Sequence, residues 1–110
     1  MNLVRPPTVL LPLVDVARTP TGTWLRISGE VDLLNSDVLR TELSALAFVG
    51  RDALHLDLRG LTFCDSEGTR VLIRFLRRAQ LDGRPATIHG ATAHLRKVLV
   101  LLGDEELTFE

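Results

Sequence analysis

The densest chemistry in this sequence lies in Asp65-Ser66-Glu67-Gly68, a hydroxyl between two carboxylates followed by a glycine. An apolar periodic segment begins immediately after it, so the four residues fall at the start of a helix. Capping is one use, because Asp and Ser side chains accept hydrogen bonds from the free N–H groups of a first helical turn. Two acids in that turn exceed what capping needs. A second use is to carry an anion. Helix N-termini accept negative charge, so a phosphate on Ser66 would sit at the helix end without unfolding it. Arg70, one turn further on, lies within reach of a charge-assisted bond to such a phosphate. Nucleophilic catalysis is a third use, as in a small hydrolase acting through Asp65 or Ser66. It finds little support, because no His-Asp partner order accompanies the serine and the segment is not the Gly-x-Ser-x-Gly elbow of hydrolases.

Other candidate groups are weaker. His55, His89 and His94 lack metal-ligand spacing and a Cys pair, so they read as structural or surface histidines and no metal site is expected. No Gly-x-Gly-x-x-Gly and no Gly-Lys-Ser/Thr phosphate loop is present, and no cofactor is expected. Trp24 reads as a strand packing residue. Arg70, Arg74, Arg77 and Arg78 form a basic stripe that reads as a solvated helix face, with an acidic partner as the alternative.

The elements that must position the serine follow from periodicity. Pro12 to Asp32 reads as a hairpin of two strands around Arg18-Thr19-Pro20-Thr21-Gly22-Thr23, and Gly29-Glu30-Val31-Asp32 closes its second strand. A helix is expected from Ser36 to about Ala47, capped by Asn35, with Leu34 stapled onto Leu39. Alternating leucines in Ala53-Leu54-His55-Leu56-Asp57-Leu58 mark a strand. A second helix runs from Ser66 to about Asp82, where Gly83 stops it. Pro85 to His89 gives another strand, Thr92 caps a last helix ending at Gly103, and Glu106 to Phe109 reads as a short extended return. This order implies an α/β fold: an N-terminal β-hairpin, then alternating helices and strands forming a mixed sheet with helices mainly on one face.

Length and composition agree with one such domain. The chain has 110 residues, 45% hydrophobic and 25% charged, which argues against disorder. The formal net charge of −1 gives no global attraction to nucleic acid. No apolar run approaches the roughly 20 residues that span a bilayer, and membrane insertion is not expected. The single Cys64 suits a reducing compartment, so a cytoplasmic location is expected. Residues 1–11 read as a flexible lead-in, and 12–110 as the domain.

Taken together, these segments resemble the STAS family, the anti-sigma factor antagonists of bacteria and their relatives. The resemblance rests on Gly29-Glu30-Val31-Asp32 after an early strand, Asp57-Leu58-Arg59 ending a strand, Leu61-Thr62-Phe63-Cys64 as the link, and Asp65-Ser66-Glu67-Gly68 opening a helix. It covers residues 13 to 109. Glu67, Thr69 and Arg70 depart from the family pattern, which usually has Ser or Thr at the first of these and small or apolar residues at the others. The resemblance implies a non-enzymatic regulator that binds a serine-kinase anti-sigma factor and thereby frees a sigma factor, with Ser66 as the phosphorylated residue. Asp32, Asp65, Ser66, Glu67, Gly68 and Arg70 are the partner-binding candidates it implies. A STAS module in a membrane transporter or stressosome-like assembly, without sigma regulation, is the other role the family offers.

Overall fold

The computed structural model describes residues 13–46, 50–103 and 107–110. The lead-in expected over 1–11 and the helix end expected at Ala47 lie outside the described residues. The chain forms strands β1 (Leu13–Thr19) and β2 (Gly22–Val31), helix α1 (Ser36–Leu46), strands β3 (Leu54–Asp57) and β4 (Leu61–Cys64), helix α2 (Ser66–Leu81), strand β5 (Ala86–His89) and helix α3 (Ala93–Leu102).

β1 and β2 pair antiparallel as the expected hairpin, with Thr19 opposite Gly22 across the Pro20-Thr21 turn. Gly22 has φ +133°, and a Cβ there would lie 2.3 Å from the Ala53 carbonyl oxygen, so both conformation and space select glycine. β2 is the long strand and acts as the template for the rest. Its first half pairs parallel with β3, from Thr23 opposite Leu54 to Arg26 opposite Asp57. Its second half pairs parallel with β4, Val31 facing Cys64. β5 pairs parallel with β3 on the far side, giving the order β1-β2-β3-β5 with β4 attached to β2.

The segment Leu61–Cys64, expected as a link, is therefore a strand. Its burial does not alternate, Leu61 being buried while Thr62 and Phe63 are both exposed, so no period-2 signal marks it. It becomes a strand because β2 extends beyond β3 and offers unpaired backbone groups that must be satisfied. The C-terminal return occurs as expected: Ile88 N–H donates to Thr108 O at 2.8 Å and Glu110 N–H to Ile88 O at 2.8 Å, which adds Phe109 beside β5.

All three helices cover one face. Leu25, Ile27, Val31, Leu56 and Ile88 from the strands meet Leu39, Leu43, Leu72, Leu76 and Leu99 from the helices in a single core. Each such side chain, fully buried, contributes roughly 1.5–3 kcal/mol. α2 lies centrally, packed against both α1 and α3. Its apolar residues recur through Val71, Leu72, Phe75, Leu76 and Ala79, all buried, so its axis and its first turn are set by the core.

The start of α1 differs from expectation. Leu39 is fully buried, but Leu34 is 90% exposed, so the staple between them does not form. Asn35 instead reaches back: its Oδ1 accepts from Asp32 N–H at 2.9 Å and its Nδ2 donates to Glu30 O at 2.8 Å. These bonds tie the loop after β2 to the strand it leaves and hold Leu33 and Leu34 in solvent.

Candidate functional site

β2 and β4 are parallel neighbours, so their carboxyl ends lie side by side, the position in an open α/β sheet where functional groups collect. Asp65 N–H donates to Val31 O at 3.0 Å, which joins the two strand ends and sets the Asp32 loop next to the serine turn. Asp32 Oδ1 accepts from Leu34 N–H at 2.9 Å and so shapes that neighbouring loop. The structure thus brings Asp32 and Asp65 to one end of the sheet although 33 positions separate them in sequence.

The turn is built on Asp65. Its extended backbone (φ −81°, ψ −176°) places its carboxylate over the helix start, where Oδ1 accepts from Gly68 N–H at 2.9 Å. The Asp65 carbonyl also accepts from Thr69 N–H at 2.9 Å and Thr69 Oγ1 at 2.8 Å. Thr69 is fully buried, so this second clamp is shielded from water. Asp65→Ala removes the cap and is expected to lower stability by about 1 kcal/mol in thermal denaturation, because one N–H of the first turn loses its acceptor. An unchanged midpoint would show that the cap carries no energy.

Gly68 lies beneath the turn. A Cβ on it would fall 2.5 Å from Val31 Cγ1 and 2.8 Å from Cys64 Sγ. The residue is buried, so it brings the helix start onto the β2–β4 pair and presents no side-chain surface to a partner. Cys64 packs in the same contact, 3.6 Å from Thr69 Oγ1. Burial pushes its thiol pKa up, which keeps it protonated and unreactive at neutral pH.

Ser66 occupies the first helical position and is exposed. Among the described residues nothing hydrogen-bonds its hydroxyl. The N–H groups of Ser66 and Glu67 have no acceptor within the helix, as at any helix start. Arg70, expected within reach of a phosphate on Ser66, is engaged elsewhere: its Nη1 donates to Glu67 Oε1 at 2.8 Å in a half-exposed pair one turn apart. Exposed pairs of this kind contribute only about 0.2–1 kcal/mol, so the guanidinium is readily recruited by a stronger anion.

Sequence reasoning missed the apolar surroundings of the turn. Leu33 (74% exposed) and Leu34 from the loop after β2, and Phe63 (52% exposed) on β4, are large side chains left in solvent at this end of the sheet. Leu34 offered a local staple and Phe63 a link, and the non-local pairing of β2 with β4 brings their two segments to the same end of the sheet as the serine turn. Apolar side chains around a polar centre fit the anatomy of a protein docking surface.

The face of the sheet away from the helices carries a second cluster. Trp24 packs there, stacking on both His55 and His89 with ring centroids 4.4 Å apart in each case, and His55 Nδ1 lies 2.9 Å from His89 Nε2. Beside them the buried Asp57 carboxylate accepts from Arg59 Nε at 2.9 Å and Nη2 at 2.8 Å. The expectation that Trp24 packs on its strand holds. Its partners are the histidines of two other strands, which nothing in their sequence spacing links. Among the described residues no group of His, Cys, Asp and Glu is arranged to hold a metal ion.

Comparison with known proteins agrees with this geometry. The family model described as "Mlab, STAS domain" matches residues 14–108. The anti-sigma-B factor antagonist of Bacillus subtilis (strain 168) is 26% identical over 94 residues, which cover 86% of this chain and 85% of that protein. Among solved structures, an anti-sigma factor antagonist from Mycobacterium paratuberculosis superposes with a TM-score of 0.70 at 18% identity, covering 86% of this chain and 80% of that one. The anti-sigma factor antagonist SpoIIAA in its unphosphorylated form gives 0.68 at 17% identity, covering 89% and 87%. A parallel strand pair ending in a capped serine turn, on a mixed sheet covered on one face by three helices, thus coincides with a family match over nearly the whole chain: the protein belongs to the STAS-domain family of non-enzymatic binding modules.

Proposed function

We propose that this protein is an anti-sigma factor antagonist: it binds a serine-kinase anti-sigma factor through the surface around Ser66, frees a sigma factor, and is released when that kinase phosphorylates Ser66. The observation that carries this reading is the Ser66 hydroxyl itself, exposed and without a hydrogen bond among the described residues, on a turn that Asp65, Gly68 and Thr69 hold to the sheet. Such a residue can gain a phosphate with no change to the fold. The B. subtilis relative bearing an antagonist name supports the same role. No helix among the described residues is long and apolar enough to cross a membrane, which is compatible with work in the cytoplasm.

Release has an electrostatic basis. A phosphoserine dianion joins Asp65 and Glu67 within one turn and must be desolvated for Leu33, Leu34 and Phe63 to stay in contact with a partner. Arg70 offsets part of this charge only by leaving Glu67, which then adds its own negative charge to the surface. Ser66→Asp is accordingly expected to weaken binding at least about tenfold, a loss of about 1.4 kcal/mol. Ser66→Ala is expected to bind as wild type does. A pull-down with the candidate anti-sigma kinase, followed by incubation with ATP and mapping of phosphate by mass spectrometry, tests both halves. Equal affinity of wild type and Ser66→Asp would sink the release mechanism, and an unlabelled Ser66 beside a labelled control antagonist would remove phosphorylation from the role.

A further inference from the structure

The basic stripe of α2 has a use that the serine turn does not explain. Arg74 and Arg78 lie one turn apart on α2, and across the surface between the helices stands Arg40 of α1; together they line a groove whose floor is Leu43, Val71 and Phe75. No acidic side chain among the described residues lines this groove. Arg40 and Arg78 pair with acids along their own helices, Arg40 with Asp37 at 2.8 Å and Arg78 with Asp82 at 3.3 Å. Arg74 has no ion pair among the described residues. Three guanidiniums around one apolar-floored groove repel one another, in a chain whose formal net charge is −1. Arg40 and Arg78 pair along their own helices, whereas the Arg74 charge is answered by no carboxylate among the described residues. The arrangement complements an external anion.

The form of the groove selects the kind of anion. It is walled by the sides of two helices, and it offers neither a helix N-terminus nor a glycine-rich loop, so the backbone N–H donors that cradle phosphate are missing from it. Its positive charges on α2 are spaced by four residues, about 6 Å along the helix axis. Carboxylates at positions i and i+4 of another helix have the same spacing, and the apolar residues between them would meet the Val71 and Phe75 floor.

We propose that the α1–α2 groove is a docking site for an acidic amphipathic helix of a protein partner, separate from the Ser66 turn. Arg74 is its central anchor, with Arg40 and Arg78 on either wall. Arg supplies bidentate recognition of carboxylates, and desolvation over an apolar floor strengthens each such pair.

The test is a titration of the isotope-labelled full chain by NMR with a fluorescein-tagged helical peptide of about 16 residues, bearing Glu at i and i+4 with Leu between, long enough to cover roughly four turns. Shift changes are expected at Leu43, Val71, Arg74 and Phe75. Arg74→Glu is expected to lower affinity at least tenfold, while Lys97→Glu on α3 and Ser66→Asp leave it unchanged. These are exposed side chains, and an unaltered thermal midpoint for each variant checks that the fold is kept. Binding of equal strength by Arg74→Glu, or by a peptide with Lys in place of Glu, would overturn the proposal. So would displacement of the peptide by equimolar inorganic phosphate, which makes the groove a general anion site. Concentration-dependent shifts at the groove without peptide would also overturn it, since the occupant would then be a second copy of this chain.

Discussion

Gly68→Ala is expected to destabilise the domain by about 1–3 kcal/mol, the usual cost of forcing an extra methyl group into a packed core. The new Cβ would meet Val31 Cγ1 at 2.5 Å and Cys64 Sγ at 2.8 Å. Val31 is fully buried and, being β-branched, has few rotamers to retreat into. The rigid bodies must therefore separate, which lifts the first turn of α2 from the ends of β2 and β4. Alanine's higher helix propensity returns at most about 1 kcal/mol, and less in a first turn than in a helix interior. Thermal denaturation is expected to show a fall of about 4–8 °C for each kcal/mol lost in a domain of this size. A double-mutant cycle isolates the cause. Val31→Ala opens the space that the new methyl needs, so the two substitutions together are expected to cost clearly less than the sum of their separate costs. Strict additivity would mean that the steric account is wrong. Because the same movement displaces Ser66, Gly68→Ala is also expected to reduce partner binding even though Gly68 presents no side-chain surface to a partner.

Asp57→Ala is expected to lower stability at pH 7 by about 1–2 kcal/mol and to remove most of one step in acid denaturation. The Asp57 side chain is 3% exposed. Hydrogen bonds from the Arg59 side chain, then its backbone N–H and the charges of Arg59 and Arg26, outweigh burial and hold the carboxyl at about 2, against an ordinary 3.8. A shift of that size corresponds at most to about 2.5 kcal/mol. The lower figure is expected because Arg59 and Arg26 are 67% and 62% exposed and regain water when the carboxylate is lost. The sign follows from linkage. The folded-state pKa is depressed, so the stabilisation is complete above pH 3.8 and is lost as pH falls toward 2. Urea denaturation at pH 7 and at pH 2.5 is expected to show a wild-type advantage that narrows sharply at the lower pH. An advantage of the same size at both would rule out the carboxylate charge as its source. His89 acts in a separate window. Burial and then the neighbouring His55 depress its pKa below 6.5, so the unfolded chain takes up the proton first and stability declines as pH falls through 6.5.

The first prediction concerns a turn that is clamped where it supports the serine and open where it meets solvent. Asp65, Gly68 and Thr69 direct their bonds and contacts inward, while Ser66, Glu67 and Arg70 face outward. A phosphate placed on such a turn would alter the charge of the surface proposed to meet a partner and leave the core untouched. Glu67, at a position where the family usually has Ser or Thr, gives Arg70 a resting partner in the unmodified protein.

How much of this was legible before folding depended on the distance over which each interaction acts. The caps at Asp65 and Thr92 and the apolar stripe of α2 were readable, because a cap or a helix face involves residues within a few positions. The hairpin, the leucine alternation of β3 and the one-sided cover of helices were readable for the same reason. Strand β4 was not, since its four residues lack alternation and it exists through pairing with the far half of β2. Leu34 promised a local staple. Asn35 turned the chain the other way, and the leucine became exposed surface. Nothing in the local sequence makes Gly68 obligatory, and it is Val31, 37 positions away, that leaves no room for a Cβ. The Trp24–His55–His89 stack and the convergence of Arg40 with Arg74 and Arg78 likewise join residues that no sequence spacing connects. Local hydrogen bonding and periodicity thus wrote the elements and the serine turn into the chain. Long-range packing, which acts only once β2 has collected its neighbours, decided which of those residues became floor, wall or open surface.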